Sequence, residues 1–412
     1  MIRVAEMFAG VGGFRLGLEG YGKPGDRFYM PPAGDFKTVW ANQWEPPGTD
    51  ARQFAWKCYE RRFGDGSCVN EDIEKVLDDY EAGKTEIPDF DMLVGGFPCQ
   101  DYSVSKAAAK AKGIEGKKGV LWWSIYRMLR LKRPEYVLLE NVDRLLKSPT
   151  GKRGRDFAIM LSCLAQLGYS AEWRVINAAD YGMPQRRRRV YIFARRFAPV
   201  SSPENVILRD GIFARAFPVL DVAEIRRFSI PSDPYRASQD FGAPKVSPFG
   251  TAGCMFACHV ATGAIQPAYD GPRATLGDVL EADSKVPDAF FIDDSDLDRW
   301  KYLKGAKREP RTARNGYEYM YSEGPVAFPD PLDRPSRTIL TSEGGKSPSR
   351  MKTVVQGGSG RFRRLVPDEL DAIQMFPKGW TEGMTDGHRA FCMGNALVVG
   401  IPHRIGAEIA HL

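Results

Sequence analysis

A cysteine at the end of one apolar run, a glutamate at the end of another and two alternating arginines are the residues here whose types and spacing suit them to chemistry. In DMLVGGFPCQDYSV the apolar run stops at Gly95 and Gly96, and Pro98 and Cys99 occupy the turn that follows. Ligands of α/β sheets bind at strand ends, so Cys99 is placed to meet a substrate. Its reactive form is the thiolate, favoured by positive groups or oriented backbone donors. An isolated cysteine is more often a buried structural one, but two further segments remove the isolation. EYVLLENV is an apolar strand that delivers Glu140 and Asn141 to the same sheet edge, a carboxyl group suited to proton transfer. MPQRRRRVYIF sets Gln185 before four arginines and an apolar strand. Side chains alternate along a strand, so Arg187 and Arg189 share a face. Such a cluster is usually solvated surface, yet one that feeds a buried strand directs part of its charge at something acidic.

A second constellation lies near the start of the chain. FAGVGG, from Phe8 to Gly13, follows the strand IRVAEM and precedes the helical pattern FRLGLE. Gly10, Gly12 and Gly13 let the backbone turn tightly and approach a ligand, although a plain strand-to-helix turn reads the same way. The dinucleotide spacing GxGxxG is absent, which counts against NAD. In WANQWEP, Gln43, Trp44 and Glu45 offer an aromatic face and hydrogen-bonding groups that suit an adenosine, or else a core tryptophan beside solvated polar groups. In NEDIEKV, Asp72 and Ile73 are placed to read an adenine edge, while an acid at a helix start also serves as a simple cap.

These groups require a sheet to hold them. The first 200 residues alternate short apolar runs with amphipathic stretches, a βα repeat that predicts a sheet between helices. From about 201 to 330 the text turns rich in Pro, Gly and Ser without helical period, predicting a second, irregular or β-rich domain. Helical periodicity returns in FRRLVPDELDAIQMFP and ALVVGIPHRIGAEIAHL, the latter a closing helix expected to pack on the first domain. The predicted organisation is 1–200, 201–355 and a returning 356–412. The 412 residues carry a net charge of +6, which permits a nucleic-acid partner without requiring one. Seven scattered cysteines and four histidines argue for reduced thiols and against a disulfide-stapled fold. Cys254, Cys258 and His259 lack a second ligand pair at zinc-finger spacing, so no metal is expected. The N-terminus lacks the regions of a signal peptide and no run approaches the ~18 apolar residues of a membrane span, so a soluble, cytoplasmic protein without a membrane partner is expected.

The motifs, in their order, resemble those of the DNA cytosine-5 methyltransferase family over nearly the whole chain. FAGVGG is similar to its first cofactor motif, GGFPCQ to its nucleophile motif, ENV to its glutamate motif and QRRRR to its QxRxR motif; RPSRTIL, Arg334 to Leu340, and GNALVV, Gly394 to Val399, resemble its last two. The resemblance implies a Rossmann-like methyltransferase sheet that binds S-adenosylmethionine, releases S-adenosylhomocysteine and acts on double-stranded DNA. It implies that Cys99 adds to C6 of a cytosine, that Glu140 holds or protonates N3, and that Arg187 and Arg189 clamp O2 and adjacent groups. The donor would bind through Phe8, Gly10, Gly12, Gly13, Gln43, Trp44, Glu45, Asp72, Ile73 and Pro98, with Asn395 closing the pocket. Family members commonly carry Glu before the aromatic of the second motif, where this chain has Gln43. Its amide oxygen still accepts a hydroxyl hydrogen bond, and Glu45 is a substitute.

A stacked cytosine hides C6, so such an enzyme extrudes its target base. The segment after Cys99, with Lys106, Lys110, Lys112, Lys117 and Lys118 against Glu115, reads as a cationic loop that folds over phosphates or as a solvated loop. The stretch 201–330 would recognise the target, with Arg311, Arg314 and Lys346 among the charges available. Three alternatives remain: a tRNA-modifying cytosine-5 methyltransferase, a catalytically silent DNA-binding relative, and a dinucleotide oxidoreductase. The size of the region between QRRRR and RPSRTIL favours DNA over RNA, and the intact PCQ, ENV and QxRxR favour an active enzyme. A two-lobed monomer, associated with the nucleoid and paired in restriction-modification with a nuclease of the same site, is the simplest picture the family implies.

Overall fold

Met92–Gly96 is apolar to its end and interior along nearly its whole length, the pattern of a strand covered on both faces. It is β3 of a nine-stranded sheet in a computed structural model that describes residues 1–46, 52–97, 121–196, 202–220, 224–313 and 315–412. The other strands are β1 (Ile2–Met7), β2 (Phe36–Asn42), β4 (Tyr136–Val142), β5 (Tyr169–Asn177), β6 (Arg188–Arg196), β8 (Arg226–Ser229), β9 (Ala252–Phe256) and β10 (His259–Gly263). Their order is β2-β1-β3-β4-β6-β5-β9-β10-β8. β2, β1, β3 and β4 run parallel, and each later pairing is antiparallel. Short β7 (Val219–Leu220) pairs with β11 (Gln266–Pro267) outside this sheet. The expected mixed α/β architecture is therefore present.

Helices α1 (Gly13–Glu19), α2 (Phe54–Phe63), α3 (Ile73–Glu81), α4 (Leu121–Lys132) and α5 (Arg155–Gln166) alternate with the first strands. One apolar cluster joins β1, β3, β4, β5 and β6 to α3, α4 and α5, and takes in Ile230, Phe249, Met255 and Val260.

The chain forms two compact units: residues 1–182, 187–271 and 397–412, and residues 183–186 with 272–396. The first does not stop near residue 200, where the Pro- and Gly-rich text begins. Phe249 packs on Phe157 and Trp173 at ring distances of 4.9 and 5.7 Å, and a Cβ on Gly253 would lie 2.2 Å from the Trp173 ring. Aromatic packing and a glycine thus stitch β9 onto β5, contacts between residues some 80 apart that leave no periodic trace. Within 356–412, only the part from Leu397 returns to the first unit. There the closing helix (Gly400–Ile409) lies against α1, where a Cβ on Gly17 would meet Pro402 at 2.9 Å.

The second unit has little sheet: ribbon β12 (Lys307–Thr312) with β13 (Glu318–Glu323), and β14 (Val354–Gln356) with β15 (Phe362–Arg364). Ion pairs tie it inside. Arg363 meets Glu369 at 2.8 Å with both side chains wholly buried, and Asp330 meets Lys304 at 3.4 Å and Arg337 at 2.7 Å. Breaking a buried pair on one side typically costs ~3–5 kcal/mol, because a charge is left without its counter-ion.

Candidate active site

The strand register brings the ends of β3, β4 and β6 together. Gly96 lies opposite Glu140, and Glu140 opposite Tyr191. Arg189, two residues before Tyr191, reaches Glu140 with its Nε 2.9 Å from Oε1. Both side chains are largely withdrawn from water, at 13% and 18% exposure. Arg187 precedes β6 and is buried, and its charge also acts on Glu140. Arg188, between them, points the other way, exposed and 3.3 Å from Asp143. The alternation expected of the arginine run therefore holds.

Burial dominates the electrostatics of this corner. It pushes the Glu140 carboxyl above the usual glutamate range, with Arg189 and Arg187 only partly offsetting it. Burial, and then the charge of Arg189, draws Arg187 down to about 10, still a cation at neutral pH. The corner thus holds a carboxyl that takes up a proton more readily than a solvated one, beside two fixed positive charges.

Glycine keeps the strand ends close. A Cβ on Gly95 would lie 2.8 Å from the Met7 carbonyl oxygen, and one on Gly96 would lie 3.2 Å from Glu140 Oε2. Asn141, which the sequence offered only as a neighbour of Glu140, donates from Nδ2 to the Phe97 carbonyl at 2.7 Å, and its Oδ1 accepts from Val142 N–H at 2.8 Å. It fixes the backbone just ahead of Pro98. Pro98, Cys99, the lysines of 106–118 and Arg314 lie outside the described residues.

The second constellation converges at the ends of β1 and β2. Phe8 and Gly10 both take a φ of +57°, and Gly12 takes +85°. Space around the two glycines differs: a Cβ on Gly10 meets nothing within 4 Å, whereas one on Gly12 would lie 2.4 Å from the Phe63 ring. Gly10 therefore has open space beside it, and Gly12 is a packing requirement. Gln43 Oε1 accepts from Gly10 N–H at 2.8 Å, so the residue that departs from the family pattern is a brace for the turn. Its carbonyl accepts from Asn70 Nδ2 at 2.7 Å. Glu45 is joined to Gln53, its N–H donating to Oε1 at 2.9 Å, and Trp44 is half-buried. Asp72 caps α3, Oδ1 accepting from Glu74 N–H at 3.0 Å, while Ile73 is in the core. Gly10, Gln43 and the 69–72 loop are thus hydrogen-bonded together. Open space at Gly10, an aromatic face and a neighbouring carboxylate suit a nucleoside with a polar tail.

Glu6 supports this turn from beneath, a role the sequence reading missed. It is buried, with Oε1 accepting from Phe14 N–H at 3.2 Å and Oε2 accepting from Tyr59 O–H at 3.0 Å. Burial lifts its carboxyl to about 7, opposed by Tyr59 and Arg15. An acidic residue inside an apolar strand was the available signal.

Asn395 ends helix Asp386–Asn395 in the second unit. In that unit Gln185 Oε1 accepts from Ile339 N–H at 3.1 Å and its Nε2 donates to Gln374 Oε1 at 3.1 Å. A Cβ on Gly394 would lie 2.3 Å from Thr341 N. The start of QRRRR, RPSRTIL and GNALVV are therefore knitted into one cluster. Among the described residues no group of three or more His, Cys, Asp or Glu is placed to hold a metal, and no helix is long and apolar enough to cross a membrane.

The model of the family described as C-5 cytosine-specific DNA methylase matches residues 2–216 and 269–411. Type II methyltransferase M.Sau3AI of Staphylococcus aureus is 46% identical over 418 residues, covering 99% of this chain and 95% of that protein. Type II methyltransferase M.HhaI of Haemophilus parahaemolyticus is 34% identical over 195 residues, 47% of this chain and 49% of its own. Among solved structures, the Dnmt2 methyltransferase of S. pombe aligns over 98% of this chain and 96% of its own, with a TM-score of 0.56 at 15% identity, a likeness of fold.

Proposed function

This chain belongs to the C-5 cytosine-specific DNA methylase family, and we propose that it methylates C5 of a cytosine extruded from duplex DNA through a covalent bond from Cys99. The observation that supports this reading most is the largely enclosed Glu140 beside Arg189 and Arg187, next to the strand end that leads to Cys99. C5 is a poor nucleophile until a group adds at C6. The Cys99 thiolate forms an Sγ–C6 bond while N3 takes a proton from Glu140, and Arg187 and Arg189 stabilise charge gathering toward O2. S-adenosylmethionine, when bound, supplies an electrophilic methyl group, which C5 of the resulting enamine attacks. Loss of the C5 proton to solvent then expels the thiolate and restores the C5–C6 double bond, and the N3 proton returns to Glu140, leaving 5-methylcytosine and S-adenosylhomocysteine.

Phe8, Gly10, Gly12, Gly13, Gln43, Trp44, Glu45, Asp72, Ile73 and Pro98 make up the donor site in this reading, and Asn395 is assigned to the donor as well. The brace from Gln43 to Gly10 shapes the turn, and Glu45 takes the ribose hydroxyls. Target recognition is assigned to residues 272–396, since β8, β9 and β10 of the preceding stretch are strands of the large sheet. The protein acts as a monomer in the cytoplasm, on nucleoid DNA, in restriction-modification with a nuclease of the same site.

Incubation with methyl-labelled S-adenosylmethionine and mixed-sequence duplex DNA, followed by nucleoside mass spectrometry, tests the reading. Labelled 5-methylcytosine in DNA is expected. Label in matched RNA alone would replace DNA by RNA as substrate, and none in either would leave a silent DNA-binding relative.

A further inference from the structure

We infer that the β12–β13 ribbon is the element that reads base sequence, entering the major groove with Arg311 directed at a guanine and Arg308 at a phosphate. The inference rests on the DNA-methylating reading above. Lys307↔Glu323, Glu309↔Tyr321 and Arg311↔Tyr319 form one face of the ribbon, and Arg308↔Ser322, Pro310↔Met320 and Thr312↔Glu318 form the other. The first face is seated at its base on helix Asp294–Lys304: Lys307 Nζ donates to the Leu303 carbonyl at 3.0 Å, and Tyr302 O–H donates to Glu309 Oε2 at 3.3 Å. The second face is exposed at all six positions. Toward the tip both faces are open, with Tyr317 67% and Met320 55% exposed.

The helix holds the base of the ribbon, whereas the tip leaves Tyr317 and Met320 in water and is the end free to take an occupant. Lys307, Arg308 and Arg311 stand against Glu309, Glu318 and Glu323, so the strands carry no net charge; the match is one of shape, two strands about 5 Å apart entering a major groove about 12 Å across, whose guanine edges offer acceptors to an arginine. Arg311 is already oriented for this task. Its Nε and Nη2 donate to Glu309 Oε1 at 2.9 and 2.6 Å, and its guanidinium lies 3.6 Å from the centroid of the Tyr321 ring. With the Nε edge held by a carboxylate, the Nη1–Nη2 edge is the fork that projects, and two parallel donors at that spacing match guanine O6 and N7. Arg308 has no such brace on its face and suits the less directional contact to a phosphate.

The two arginines therefore have separable signatures. The full chain is incubated with S-adenosylmethionine and duplexes randomised on both sides of a cytosine, and methylated sequences are read by conversion sequencing. Arg311→Ala is expected to relax the preference at one base pair by about tenfold or more, and Arg308→Ala to keep the preference while lowering the slope of log affinity against log salt by about one. Arg311→Lys keeps the charge but not the fork, so it is expected to relax the same position and serves if the alanine variant is poorly folded. Unchanged base preference in Arg311→Lys and Arg311→Ala would overturn the inference. Absence of methylation by the wild-type chain would instead overturn the function on which it rests.

Discussion

Glu140 with Arg189 and Glu309 with Arg311 are the same two residue types in contact, placed in opposite surroundings. The first pair joins adjacent strands of the large sheet at 2.9 Å and is 13% and 18% exposed; the second lies along one strand of a ribbon at 2.6 Å and is 35% and 44% exposed. Burial raises the Glu140 carboxyl in spite of its arginines, whereas the hydrogen bonds from Arg311 lower that of Glu309. Pairing alone does not set the protonation of a carboxyl; removal from water outweighs it. The interior glutamate is suited to hold or deliver a proton, and the exposed one to remain an anion that orients its arginine.

The largest changes are expected at the interior pair and at Cys99. Cys99→Ala is expected to abolish methyl transfer while S-adenosylmethionine binding, followed by calorimetry, persists. Glu140→Gln, which keeps the shape but cannot deliver the proton, is expected to lower kcat by roughly 10²–10⁴-fold. Glu309→Gln, the same change at the exposed pair, is expected to lower kcat by less than about tenfold and to act through base preference and affinity, since a solvent-exposed pair contributes little energy. Equal losses of kcat in the two glutamine variants would remove the distinction between the pairs.

The smallest effect concerns Glu6, a second buried carboxyl. Its folded value of about 7 lies above that of the unfolded chain, so the folded state binds the extra proton. The stability it contributes is complete below about pH 4.5 and is lost as pH rises through 7. Glu6→Gln is expected to flatten this part of the dependence of Tm on pH. Glu172, half-buried and lifted by desolvation to about 7, leaves a residual slope of the same sign. A steeper slope in the variant would contradict the assignment.

Local pattern carried the parts of this molecule that depend on local chemistry. Apolar runs ending at Gly96 and Glu140, glycines after β1 and the alternation of Arg187 with Arg189 were all readable, because strand period and turn chemistry are written in adjacent residues. What stayed hidden depends on distant partners. Phe249 and Gly253 join the first unit through Trp173, Gln185 finds its partner at Ile339, and Asn141 donates to the Phe97 carbonyl. Gln43 was legible as a departure from a family pattern, but its bond to Gly10 was not, since no periodicity encodes which neighbouring loop a side chain will brace. The ribbon was hidden for a different reason: its residues alternate without an apolar face, so neither the strand nor the seated side was marked.

A covalent bond from Cys99 is detected by mass spectrometry after incubation with S-adenosylmethionine and a mixed-sequence duplex containing 5-fluorocytosine. Fluorine at C5 blocks the final elimination and traps the bond to C6. A DNA adduct mapped to Cys99 and absent from Cys99→Ala is expected. An adduct at another residue, or none from a preparation that methylates unmodified duplex, would contradict the covalent role of Cys99.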